Sequence, residues 1–230
     1  MYDISFRDGG LSNMKLGDSI IAASMFCHLG KVRWYLKDGD HSDRWVWNKV
    51  AKLYKGQFEL EMVFEKPGNI RQIHPWRTFA DHNMRVVKPS NVPTSEDDDF
   101  ITTQFLGNFG FRCIHPDHHS KIVEDHGEGK TVRNHDNSRV TLNELFSEVN
   151  AAAFHLGCNS GIMWVAAAMG TKTKLIRTDS PHNFTSDSHF AKIIANHSDL
   201  IKDVATVPMI EGLSWREVDK NIMKELLEKC

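Results

Sequence analysis

The sequence predicts an α/β protein of two lobes, each a parallel β-sheet covered by helices. Three observations predict it. Segments with a period of two alternate with segments of helical period over the first third of the chain, and the alternation resumes after residue 100. Between the two runs lies a stretch of prolines, small polar residues and like charges, Pro89-Ser90 and Pro93-Thr94-Ser95 followed by Glu96 to Asp99. The length, 230 residues, accommodates one large domain or two of roughly 100 residues. The lobes are expected at 1–95 and 96–230.

In the first lobe, Tyr2 to Arg7 alternates apolar and polar residues as a strand does, and the turn formers Asp8 to Asn13 follow. Gly17 to Leu29 carries apolar residues at helical spacing, with Gly30 placed to end the helix. Val32 to Leu36 reads as a second strand. His41 to Tyr54 reads as a helix stopped by Gly56, and Phe58, Leu60, Met62 and Phe64 alternate in a third strand. This β-α-β-α-β order is that of a parallel sheet.

In the second lobe, Phe100 to Phe105 and Lys130 to Arg133 read as strands. Thr141 to Ala152 is a helix: Thr141 with Glu144 three residues on forms a capping box, and Leu142, Leu145, Phe146 and Val149 make an apolar stripe. Ala153 to Gly157 is a buried strand, Ser160 to Met169 a helix of small residues closed by Gly170, and Lys172 to Ile176 a further strand. Ser214 to Lys229 completes the chain as an amphipathic helix.

Composition excludes several functions. Lys plus Arg total 28 against 30 for Asp plus Glu, a formal charge of −2, so no basic excess marks a nucleic-acid binder. No apolar run approaches the length of a spanning helix, and no basic region with an apolar stretch opens the chain. A cytoplasmic protein with at most peripheral membrane contact is expected. Cys27, Cys113, Cys158 and Cys230 are widely and irregularly spaced, which fits free thiols better than a disulfide scaffold. The chain has no Gly-x-Ser-x-Gly and no phosphate-loop motif. Of its thirteen histidines, His115, His118, His119, His126 and His135 crowd one stretch; it reads as a surface loop, with metal ligation as the alternative. The spaced tryptophans Trp45 and Trp215 fit a core role, and Trp76, in His74-Pro75-Trp76-Arg77, reads as a loop aromatic able to contact an acceptor.

The segment that carries chemistry runs from His155 to Ile176: strand, tight polar turn, helix, glycine stop, strand. The turn delivers Asn159, Ser160 and Gly161 to a helix N-terminus, where unpaired N–H groups and the dipole favour phosphate. Gly161 permits close approach of an anion, and Ala166 to Ala168 let the helix lie close on the sheet. In open parallel sheets ligands bind at the carboxyl ends of strands, where this turn lies. The plainer reading is that Asn159 and Ser160 only cap the helix.

The order of this half, a Thr-Leu-x-Glu-Leu helix, a strand ending in Gly157, then Ser160-Gly161 opening an alanine-rich helix, resembles the C-terminal half of GT-B glycosyltransferases. The closest resemblance is to the ADP-heptose:lipopolysaccharide heptosyltransferase family, in which the turn reads Asp-Ser-Gly followed by a histidine; here Asn159 and Trp164 stand at those places. At the N-terminus, Leu16-Gly17-Asp18-Ser19-Ile20 resembles the Gly-Asp pair that opens the family's first helix. The resemblance implies a GT-B fold of two Rossmann-like lobes with a cleft between them, an inverting, metal-independent transfer of a sugar from a nucleotide-diphosphate sugar to a glycan or other hydroxyl acceptor, and no cofactor. It implies that Asp18 is the general base, a role a carboxylate within hydrogen-bond reach of a hydroxyl can fill; helix capping is the plainer role. It implies donor contacts at Gly17, Gln104, Arg112, Thr141, Asn159, Ser160, Gly161 and Trp164, with Arg112 neutralising the departing diphosphate. The alternatives are a GT-B nucleotide-sugar epimerase or hydrolase, and a non-catalytic nucleotide- or glycan-binding module.

Overall fold

A computed structural model describes residues 1–6, 14–36, 45–64, 68–70, 72–93, 99–107, 112–136, 140–180 and 189–209. The chain divides into two units, one formed by residues up to Pro93 together with a helix at 189–196, the other by the described residues of 99–180 and 198–209.

The first unit contains β1 (Tyr2–Phe6), α1 (Leu16–Leu29), β2 (Lys31–Tyr35), α2 (Trp45–Leu53), β3 (Glu59–Val63), β4 (Gln72–Ile73) and α3 (Pro75–Asp81). Its sheet is parallel throughout, in the order β3-β2-β1-β4. Helix α1 is buried from Ser19 to Phe26 because it lies centrally on the sheet, which is why its apolar residues are not confined to one stripe. Phe26 meets the edges of Trp34, Trp47 and Phe58 at 5.5–5.6 Å between centroids, and Trp34 and Trp47 are T-shaped at 5.2 Å. The chain after α3 is held on this unit: Ser24 Oγ accepts from Val87 N–H at 3.0 Å, and Tyr54 O–H donates to Val87 C=O at 2.9 Å.

The second unit contains β5 (Phe100–Gln104), α4 (Pro116–His126), β6 (Thr131–Asn134), α5 (Leu142–Ala151), β7 (His155–Gly157), α6 (Gly161–Met169), β8 (Thr173–Thr178) and β9 (Ile201–Val207). Its sheet is also parallel, in the order β6-β5-β7-β8-β9. The sheet order turns back beside β5, so the carboxyl ends of β5, β6 and β7 form an edge of the kind at which α/β proteins bind ligands. Ile101, Phe105, Leu156, Cys158, Ile122 and Ile176 pack in one core cluster. Helix α6 is buried from Ile162 to Met169 and ends on Gly170 in the left-handed region (φ 81°), a conformation glycine adopts without strain.

Several expectations are corrected. Trp76 lies on a helix, α3, with Pro75 at its first turn, rather than in a loop. The histidine-rich stretch is not a loop: His115 caps α4 through its ring, His118, His119 and His126 lie on that helix, and His135 follows β6. The second lobe is not continuous, because α7 (His189–Asn196), between β8 and β9 in sequence, belongs to the first unit, where Asn196 Nδ2 donates to Met84 C=O at 3.0 Å and His197 Nε2 accepts from Val86 N–H at 2.9 Å. The expected helix at 214–229, with Trp215, lies outside the described residues, as does the side chain of Trp45.

Candidate functional site

In the second unit the site is built at the carboxyl edge of the sheet. Strand β7 ends at Gly157, paired with Gln104 of β5. A Cβ on Gly157 would stand 2.2 Å from the Gln104 carbonyl oxygen, so only glycine allows the two strands to approach this closely. Cys158 N–H then donates to the same oxygen at 2.9 Å and directs the chain into the turn that carries Asn159 and Ser160. Ser160 occupies the N-cap position of α6 with extended backbone, but its hydroxyl makes no capping hydrogen bond. Asn159 and Ser160 are 4% and 7% exposed, and Asn159 Oδ1, Asn159 Nδ2 and Ser160 Oγ have no hydrogen-bond partner among the described residues. Capping therefore does not account for these side chains. Beside them, the Gln104 Oε1 atom is likewise buried without a partner.

Arg112 is brought to the same place. A Cβ on Gly107 would lie 2.9 Å from Arg112 Cβ and 3.6 Å from Asn159 C=O, so Arg112 and Asn159 flank the short segment that follows β5. Arg112 is half-buried, and its charge acts on Cys113 and Cys158, favouring their thiolates, while burial pushes Cys113 up to about 12 and raises Cys158 well above the usual thiol range.

Asp136, which the sequence reading passed over, completes the edge. It follows β6; its Oδ1 accepts from Phe105 N–H and Leu106 N–H, both at 2.8 Å, and its Oδ2 is buried without a partner among the described residues. Burial raises its carboxyl above the usual range, and the two amides oppose that rise. The available signal was positional: a carboxylate directly after a strand, in Asn134-His135-Asp136.

Two expected donor residues are placed differently. Trp164 is 2% exposed and packs within the core, and Thr141 is taken up by its capping box, with Thr141 N–H donating to Glu144 Oε2 at 2.7 Å and Glu144 N–H to Thr141 Oγ1 at 3.3 Å. Gly161 is the first residue of α6, as the sequence requires.

Under the same sheet lies a buried polar row. His155 is fully enclosed; its Nδ1 shares a hydrogen bond with Thr102 Oγ1 at 3.1 Å, and burial lowers its pKa to about 3. His135, also lowered by burial, lies 3.4 Å from Glu148. Among the described residues no group of three or more His, Cys, Asp or Glu side chains is arranged to hold a metal ion, and Cys27, Cys113 and Cys158 are free thiols. Cys230 lies outside the described residues.

In the first unit, Gly17 and Asp18 lie in the first turn of α1, Gly17 buried and Asp18 half-buried. Asp18 Oδ2 accepts from Lys15 N–H at 3.0 Å, and Oδ1 accepts from Trp76 Nε1–H at 2.6 Å. The capping role is thus real, and a second bond from α3 is added to it. Trp76 is only 8% exposed, so its ring is not an open stacking platform for an acceptor.

No protein-family model and no curated protein matches the chain. Among solved structures it is similar to the bacterial iron-containing dodecameric glycosyltransferase TibC of enterotoxigenic E. coli H10407, at 15% identity over 76% of this chain and a TM-score of 0.49. The chain covers 58% of the length of that TibC structure. It is also similar to the E. coli heptosyltransferase WaaC with ADP, at 11% identity over 100% of this chain and 99% of the other (TM-score 0.42), and to E. coli ADP-heptose LPS heptosyltransferase II, at 10% identity with the same coverage and TM-score. No helix among the described residues is long and apolar enough to cross a membrane.

Proposed function

We propose that the chain is a glycosyltransferase of GT-B type that transfers a sugar from a nucleotide-diphosphate sugar to an acceptor hydroxyl. The observation that carries this reading is the set of buried, unpartnered polar atoms of Asn159 and Ser160 at the start of α6. A buried polar group without a partner costs about 1–3 kcal/mol, and a ligand that bonds it removes that cost. The helix N-terminus and the half-buried Arg112 make the position favourable for a diphosphate. Asp136 Oδ2 and Gln104 Oε1 add acceptors for ligand hydroxyl or N–H groups.

In the reaction, the acceptor oxygen attacks the anomeric carbon, the bond from that carbon to the diphosphate oxygen breaks, and the configuration inverts. Asp18 takes the acceptor proton; the start of α6 and Arg112 receive the charge on the leaving diphosphate, the work a metal does in other transferases.

The test is a thermal-shift panel of UDP, GDP, ADP, CDP and dTDP, each with and without EDTA. A nucleotide at about 100 times its dissociation constant stabilises by about 2.7 kcal/mol. A shift with one base that survives EDTA and is lost in Ser160→Ala with Asn159→Ala is the expected result. No shift with any diphosphate refutes the reading.

A further inference from the structure

The contacts of Trp76 assign it a role other than stacking on an acceptor. Its indole N–H donates to Asp18 Oδ1 at 2.6 Å, across a sequence separation of 58 residues, so this bond is tertiary rather than part of the local cap of α1. The other face of the ring is set by α7, where Phe190 lies 4.7 Å from Trp76 between centroids, tilted by 50°. His74 and His189 repeat the pairing of α3 with α7 one step away, at 5.8 Å. Helices α3 and α7 thus carry a short ladder of rings, and its one indole N–H on α3 is aimed at the carboxylate of α1.

We propose that Trp76 is a positioning residue: its N–H fixes the rotamer of the Asp18 carboxylate, and Phe190 of α7 fixes Trp76. This rests on the reading of Asp18 as the base that takes the acceptor proton. With Oδ2 held by Lys15 N–H and Oδ1 by Trp76, the carboxylate plane is locked at two points, while each oxygen keeps a lone pair for an incoming hydroxyl. A base held this way loses no time to rotamer search, and such orientation is a large share of what a positioned carboxylate contributes. Helix α7, although it lies in sequence between β8 and β9, belongs to the same unit as Asp18 and Trp76, so the support of Asp18 is built within that unit.

The experiment measures nucleoside diphosphate release, with water as acceptor, from the sugar nucleotide whose base gives the thermal shift, in wild type, Asp18→Asn, Trp76→Phe and Trp76→His. Phenylalanine keeps a ring against Phe190 and deletes only the donor; histidine restores a ring N–H. The expected result is a fall of about ten-fold in kcat for Trp76→Phe, with KM for that sugar nucleotide within about two-fold, and partial recovery in Trp76→His. Thermal denaturation run alongside separates this from loss of packing, which would lower Tm and raise KM together. If Asp18→Asn abolishes release while Trp76→Phe keeps the wild-type kcat, the positioning role is overturned and the assignment of Asp18 stands. If Asp18→Asn releases the diphosphate as fast as wild type, or wild type releases none, both are overturned.

Discussion

Replacing His155 should make the protein resist acid better than wild type. His155 is fully buried and bonded through Nδ1 to Thr102, and its pKa is lowered from 6.5 to about 3. The unfolded chain therefore binds a proton that the folded chain refuses throughout the interval between those values. Stability is fully present above pH 6.5 and is lost as the pH falls towards 3, at up to about 1.4 kcal/mol per pH unit. Between pH 7 and pH 4 the loss from this one group integrates to about 3 kcal/mol, a large part of the 5–15 kcal/mol typical of a whole fold. Glutamine at 155 keeps a polar group beside Thr102 and removes the titration. Urea unfolding of wild type and His155→Gln at pH 7, 6, 5 and 4 should show the wild type losing about 3 kcal/mol more than the variant across the series. His119, lowered by burial, titrates in both proteins and cancels in the comparison, whereas His135, whose charge lowers His155 further, is part of the effect that the substitution removes. Parallel loss in the two proteins would refute the reasoning, because it would mean that His155 is solvated or already charged in the folded state.

Two further predictions concern the strand pairing beside the candidate site and the thiols of both units. Gly157→Ala places a methyl group 2.2 Å from the Gln104 carbonyl oxygen, so β5 and β7 must separate; a loss of more than about 3 kcal/mol in urea unfolding is expected, with loss of any nucleotide-induced thermal shift. In a Cys27→Ser, Cys230→Ser background, the native protein should react with a disulfide reagent at pH 7.5 at least about 100-fold more slowly than free cysteine, because Cys113 and Cys158 are buried and burial pushes Cys113 up to about 12; fast labelling of either thiol before unfolding would contradict that burial.

What the sequence made legible follows from where the apolar period is strong. The alternation at Phe58–Phe64, the stripe of α5 and its Thr141–Glu144 capping box are local signals, and the structure has each of them. Helix α4 was read as a loop because only Pro116 and Ile122 of its residues are buried, too few to print a stripe among its histidines and acids. Strand β4 is two residues long, below what alternation can register, and α3 begins on a proline that equally suits a turn. The return of α7 to the first unit leaves no mark in sequence order, since connectivity alone favours neighbours in space. At the candidate site, residue type and position in sequence single out Asn159, Ser160 and Arg112, which the structure places near one another; Asp136 carries no such signal, because its place there depends on one oxygen accepting from the Phe105 and Leu106 amides and one without a partner among the described residues.

The two helix starts singled out by the sequence differ in a way that separates their work. At α1, both oxygens of Asp18 accept from the protein itself, one from Lys15 and one from Trp76. A carboxylate so held is already in place when a hydroxyl arrives, and its charge is tempered but not consumed, since each oxygen retains a lone pair. At α6, the equivalent polar side chains are enclosed and have no hydrogen-bond partner among the described residues, and the N-cap hydroxyl makes no capping hydrogen bond to the helix N–H groups. Folding left in that condition is less stable by about 1–3 kcal/mol for each open group, a cost that only a bound ligand offsets. A start that is closed on itself suits a group that must act on what binds elsewhere, whereas a start left open suits the group that does the binding. The proposed assignment of proton transfer to Asp18 and of the diphosphate to Asn159, Ser160 and α6 rests on that difference.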